Sequence, residues 1–243
     1  HEFFNAAHMD LFVILFIVIS IYLLLKKNYV GSIIFLAIAV GIRVYPIILF
    51  PLYISFMWSD KKEVLKGTIL FGVLNLLIFI PVILAGSYQS SGFAKYAGNW
   101  INNAALFDLL NSVIKIFDSL LSDGNSCTHC LARWIVSAIM LLVVFYYSRK
   151  AIRSNTDFLE RAALILAIMF LISPTQFPWY YTWIFPLLVF RPRISFLIYP
   201  ALLPLYQLNK YWEYFIYIQH IPVILLFLYE IKKGNAFGFN NLN

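Results

Sequence analysis

Four polar stretches hold most of the residues in this chain that could do chemistry. Glu2-Phe3-Phe4-Asn5-Ala6-Ala7-His8-Met9-Asp10 comes directly before a long apolar run. Ionisable groups at a membrane boundary are costly in lipid and turn toward a cavity or another polar group. Asp10 is thus open to two readings: a helix cap beside a wet loop or, with His8, the hydrogen-bonding mouth of a polar pocket. Arg43-Val44-Tyr45-Pro46 separates two further apolar runs. An arginine there needs a partner or an anion, so it either caps a helix C-terminus or grips a phosphate oxygen with its planar fork of donors. Tyr96-Ala97-Gly98-Asn99-Trp100-Ile101-Asn102-Asn103 sets aromatic faces beside amides. That octamer suits interfacial anchoring, and it equally suits a sugar whose hydroxyls are taken by amides while a ring covers its face. Ser173-Pro174-Thr175-Gln176-Phe177-Pro178-Trp179-Tyr180-Tyr181-Thr182-Trp183 joins prolines to aromatics at a helix break, and is either a kinked belt or a pocket wall.

Cys127-Thr128-His129-Cys130 is a lone CxxC. Zinc would need two more ligands at suitable spacing and there is no second pair, which leaves a tight disulfide or two ordinary thiols. No glycine-rich phosphate cradle, serine nucleophile elbow or HExxH occurs, so soluble nucleotide-sugar chemistry has no support.

The elements that must position these groups follow from composition. Of 243 residues, 62% are hydrophobic and only 12% charged, against about 45–50% and about 25% for a soluble domain. A water-facing globule of this size has no means of burying that excess. Ten glycines, ten prolines and two cysteines also exclude collagen-like and disulfide-scaffold chains. What is left is an all-α polytopic transmembrane protein. Apolar runs at 11–25, 30–42, 46–58, 67–86, 131–148, 162–173, 179–190, 194–209 and 212–231 predict about nine membrane segments in a single domain, 1–243. The prolines after Arg43 and Ser173 predict real breaks. No ionisable residue is expected deep within a span, where Ser20 and Asn75 are the notable polar groups.

Basic residues favour the cytoplasmic side. With nine spans, alternate loops collect thirteen of the 18 Lys and Arg, leaving Arg43, Lys95, Lys115, Arg133 and Lys210 on the opposite face. The C-terminus is then cytoplasmic, and the long loop 87–130 lies outside. Within that loop, residues 104–121 predict an amphipathic helix, with Leu106, Leu109, Leu110, Val113 and Phe117 set against Asp108, Asn111, Lys115 and Asp118. It is either interfacial or packed on the outer side. The net charge of +7 follows from this bias at helix ends, so no nucleic-acid partner is expected.

In order and spacing, HMD at 8–10, RVYP at 43–46, YAGNWINN at 96–103 and SPTQFPWYYTWIFPLL at 173–188 resemble the integral-membrane glycosyltransferases of the GT-C type. The closest pattern is that of the polyprenyl-phosphate-mannose-dependent mannosyltransferases of glycosyltransferase family 87, over about residues 1–190. The resemblance implies a polyprenyl-phosphate sugar donor, a glycan or glycolipid acceptor, membrane lipids around the fold and inversion at the anomeric carbon. It implies a cell-membrane enzyme with its active face outside, no cofactor and no metal. Glu2, His8, Asp10, Arg43, Tyr45, Tyr96, Trp100, Asn103, Gln176, Trp179 and Tyr180 would bind substrate, with Arg43 on the phosphate where the family usually has Lys. The family carries its catalytic carboxylate ahead of this region, so the chain is expected to be N-terminally truncated and its base to lie before His1. A lipid-linked sugar transporter or flippase, or a non-catalytic membrane protein, is the competing expectation. The absence of an inverted repeat speaks against transport.

Overall fold

The structure is a computed structural model that describes residues 9–84, 100–121, 127–190, 192–212 and 214–233. The described residues are mostly helical and contain no strand. The described parts of the apolar runs are mostly helical, several of them divided by proline. The helices are α1 (Asp10–Leu25), α2 (Tyr29–Ile42), α3 (Phe50–Met57), α4 (Lys61–Leu84), α5 (Ala105–Leu121), α6 (Thr128–Ser148), α7 (Asn155–Ile172), α8 (Phe185–Leu188), α9 (Ile194–Leu202) and α10 (Phe215–Lys233). Three-ten turns at Tyr45–Leu49, Pro178–Trp183 and Leu203–Leu208 begin with a proline at the first or second position, where a missing N–H costs no hydrogen bond.

Among the described residues, three helices are long and apolar enough to cross a membrane: α4, α6 and α10. α4 exposes Leu65, Ile69, Val73, Leu76, Leu77 and Ile83, a surface suited to lipid rather than water. Two of its polar side chains donate back along the helix itself, while the buried side-chain oxygen of Asn75 has no partner among the described residues. Thr68 donates to the Val64 carbonyl at 2.8 Å, and the Asn75 amide to that of Phe71 at 2.8 Å.

The chain forms two compact units, residues 1–100 with 139–166 and residues 101–138 with 167–243. In the first, α1 ends in a left-handed Lys27 (φ 61°), with the N–H groups of Lys27 and Asn28 bonded back to Leu24 and Leu23. Asn28 then caps α2 by accepting from the Gly31 N–H at 3.1 Å. A Cβ on Gly31 would stand 3.1 Å from both that cap oxygen and the Leu23 side chain, so a larger residue would require those side chains to give by a few tenths of an ångström. Between α1, α2 and α3, the buried Ser20 hydroxyl donates to the Ser32 carbonyl at 2.7 Å and lies 3.0 Å from the Tyr53 hydroxyl. Asp60 caps α4 through the N–H groups of Lys62 and Glu63. The 149–154 connection is held by Arg161. This residue is bidentate to Asp157 at 2.8 Å and donates to the carbonyls of Tyr147, Lys150 and Ala151.

In the second unit, the amphipathic α5 is present as the pattern of residues 104–121 predicts. Its Phe107, fully buried, packs with Ala104 and with Ala132 of α6. α9 and α10 pair closely, and the buried Glu230 of α10 caps α9. One carboxylate oxygen accepts from the Ile194 N–H at 2.6 Å and the other from the Ser195 hydroxyl at 2.6 Å.

One expectation fails here. α10 contains the buried side chains of Gln219 and His220, both 0% exposed, so an ionisable residue does sit within a helix long and apolar enough to cross a membrane. Apolar-run reading averages over such a residue. The structure shows how it is tolerated: His220 Nδ1 lies 2.8 Å from the Ile216 carbonyl, and Nε2 lies 3.2 Å from the Tyr199 hydroxyl, which also accepts from Gln219 at 3.1 Å.

Candidate functional site

In the first unit, α2 stops at Ile42 because Arg43 turns to extended backbone (φ −143°, ψ 132°) and Pro46 opens the following three-ten turn. The break carries the Arg43 guanidinium to Asp10 in the first turn of α1, with Nη2 3.1 Å from Oδ2. Asp10 is wholly buried, and the Arg43 side chain is 36% exposed. Two of the four polar stretches therefore meet, and the partner that Arg43 requires is a carboxylate of this chain. Tyr45 is close enough for both charges to act on its hydroxyl. His8 and Glu2 lie outside the described residues, as does Tyr96, and Trp100 is 51% exposed.

In the second unit, the segment around Asn102 pairs with the Ser-Pro break. The Asn102 N–H donates to the Pro174 carbonyl at 3.0 Å, and the Gln176 N–H donates to the Asn102 carbonyl at 2.8 Å. Asn103 takes a left-handed backbone (φ 52°), which asparagine tolerates better than most residues. Its amide donates to the Gln176 carbonyl at 3.3 Å, and its side-chain oxygen accepts from Asn209 at 3.0 Å. Asn102 and the Tyr206 hydroxyl lie 3.4 Å apart.

Above this amide cluster is a cavity of about 830 Å³. Asn102 and Asn103 form one wall. A second comes from Tyr206, Gln207, Asn209 and Lys210 at the end of the Leu203–Leu208 turn, and a third from Asp108, Asn111, Ser112 and Lys115 of α5. The α5 residues recur at three- and four-residue intervals and so share one helix face. The side-chain oxygens of Asn111 and Asn209 are buried and have no partner among the described residues. Such acceptors lose free energy until a hydroxyl or water reaches them. Burial raises the Asp108 pKa, favouring the neutral acid, and the nearby Lys115 charge opposes that shift. Amide acceptors, tyrosines, two ammonium groups and one carboxyl together fit a hydroxylated, negatively charged ligand.

Of the residues singled out in the sequence, Asn103 reaches this cavity directly. Gln176 supports it from behind: its buried amide donates to the carbonyls of Leu171 and Ser173 and closes the end of α7. Trp179 stacks on Phe177 at 4.5 Å between ring centres and Tyr180 on Trp183 at 4.0 Å, and neither lines the cavity. Asp108, Asn111, Lys115, Tyr206, Asn209 and Lys210 are absent from the sequence-derived set. The signal for the first three was the polar face of the amphipathic helix, which the sequence alone leaves either interfacial or packed on the outer side. Cys127 and Cys130 form a disulfide. No protein-family model, no curated protein and no solved structure matches the chain.

Proposed function

We propose that the chain acts in transferring a hexose, mannose by the family resemblance, from a polyprenyl phosphate to a glycan or glycolipid hydroxyl, with inversion. The observation that carries this reading is the polar cavity of the second unit. Lys115 and Lys210 hold the phosphate, the oxygens of Asn111 and Asn209 accept sugar hydroxyls, and Tyr206 offers a flat face. Asp108, on the same α5 face as Lys115, is a hydrogen-bonding partner for the sugar hydroxyls. Lys115 and Lys210 are two of the five basic residues that the charge bias assigns to the outer side, so the cavity opens there. Nine membrane segments, a cytoplasmic C-terminus and a cell-membrane location complete the proposal. Arg43 is a weaker phosphate ligand than either lysine, because Asp10 already balances its charge.

A lipid-linked sugar carrier is the second reading. The buried His220–Tyr199 contact favours it, since ionisable groups inside membrane helices often mark transport paths. Reconstitution of the full chain with radiolabelled polyprenyl-phosphate hexose and an acceptor oligosaccharide separates the two. Label in the acceptor together with free polyprenyl phosphate is the expected result. Movement of intact donor between leaflets, with no bond broken, would overturn the transferase reading in favour of the carrier.

A further inference from the structure

The Cys127–Cys130 disulfide has no part in the sugar chemistry above. It joins residues three apart in the first turn of α6, and both cysteines are exposed. That turn is already held by backbone hydrogen bonds, since the Cys127 carbonyl accepts from the N–H groups of Cys130 at 3.0 Å and Leu131 at 3.1 Å. A stabilising disulfide ties together distant segments and gains most when the loop it closes is long, and this one closes two residues within one element. A staple therefore does not explain it.

Its surroundings explain it better. Cys127 stands at the N-cap of a 21-residue helix, beside open N–H groups and the positive end of the helix dipole. His129 places Nε2 3.3 Å and Nδ1 3.6 Å from the Cys127 sulfur. A helix N-terminus and an adjacent imidazole each favour the thiolate, and the CxxC spacing provides the second thiol that resolves a mixed disulfide. Both sulfurs are within reach of another molecule.

We propose that Cys127 and Cys130 form a thiol–disulfide exchange centre, with Cys127 the sulfur that is attacked and a dithiol as the partner. A partner thiolate attacks Cys127 Sγ; the S–S bond breaks, and its electron pair leaves on Cys130 Sγ, which takes a proton from water. The partner's second thiolate then attacks the partner's own sulfur in the mixed disulfide and releases Cys127 as a thiolate beside His129. Two electrons pass from the dithiol, which becomes a disulfide, to Cys127 and Cys130.

The chain has only these two cysteines, so thiol tagging reports on them alone. Purified full chain in lipid nanodiscs is equilibrated in glutathione buffers of graded ratio, then tagged with a maleimide polymer. A single reversible two-electron transition is expected. In Cys130→Ser, iodoacetamide should modify Cys127 at pH 7 several-fold faster than it modifies Cys130 in Cys127→Ser, because the helix N-terminus and His129 favour its thiolate. Adding His129→Ala to Cys130→Ser should slow the reaction several-fold while circular dichroism stays unchanged. Equal rates for the two cysteines, a disulfide that glutathione does not reduce, or a reduced chain that retains stoichiometric zinc and resists tagging would each overturn the proposal.

Discussion

Removing Arg43 should cost more stability than its partly exposed position suggests, because the cost falls on Asp10. The carboxylate is 0% exposed and Arg43 Nη2 is 3.1 Å away, so Arg43→Ala takes the guanidinium from a buried carboxylate. Breaking a fully buried pair costs about 3–5 kcal/mol, whereas an exposed pair is worth about 0–1 kcal/mol. With the Arg43 side chain 36% exposed, water reaches one end of the pair, which places the expected loss near ~2 kcal/mol, roughly a thirtyfold change in the folding equilibrium. The origin of the loss is tested by a second substitution. Asp10→Asn together with Arg43→Ala removes the buried charge itself and should recover more than half of the loss, giving a coupling energy of at least ~1 kcal/mol in the double-mutant cycle. Unfolding of the purified chain by graded dodecyl sulfate in mixed micelles, followed by tryptophan fluorescence and circular dichroism, measures all four proteins. A single Arg43→Ala variant within ~0.5 kcal/mol of the parent, or strict additivity in the cycle, would refute the reasoning, since both require that Asp10 is solvated or paired elsewhere.

Two further outcomes are expected. Arg161→Lys should fail to replace arginine, because a single ammonium cannot hold Asp157 bidentately and reach the carbonyls of Tyr147, Lys150 and Ala151; faster hydrogen exchange confined to residues 147–157 would show it. Asp108→Asn should leave stability unchanged in acid and raise it at neutral pH. The folded state holds the Asp108 proton more tightly than the unfolded chain does, so the parent loses stability as pH rises from the ordinary 3.8 toward the raised folded value and then levels off, a dependence that Asp108→Asn lacks in matched unfolding titrations.

The helices were largely legible in the sequence, and much of the site was not. Long apolar runs can only be helix where lipid leaves no other partner for the backbone, and Pro46 and Pro178 mark breaks that backbone geometry enforces. The polar face of residues 104–121 was equally plain, but periodicity identifies a face without saying what it meets. Asp108, Asn111 and Lys115 were consequently read as one polar face, interfacial or packed, with no partner named; Tyr206, Asn209 and Lys210 from a segment about a hundred residues away line the cavity with them. Aromatic content misled in the opposite direction. Trp179 and Tyr180 have the composition of a sugar platform, yet neighbouring rings satisfy them in stacks. Asp10 and Arg43 were both visible as charges in need of partners; that each answers the other depends on how the α1–α2 hairpin aligns their ends. His220 was overlooked because its neighbours are apolar, and a single buried imidazole barely alters the character of the run around it.

The central claim is that the cavity of the second unit holds the phosphate and sugar of a lipid-linked donor. Its most direct test is the affinity of the full chain in nanodiscs for polyprenyl-phosphate hexose, measured beside the Lys115→Ala and Lys210→Ala double variant. Each lost ammonium–phosphate contact removes about 1.5–3 kcal/mol, so the double variant should bind at least about a hundredfold more weakly, with its fold intact by circular dichroism. Binding unchanged by loss of both lysines, or equal binding of a neutral polyprenol by the parent chain, would contradict the account.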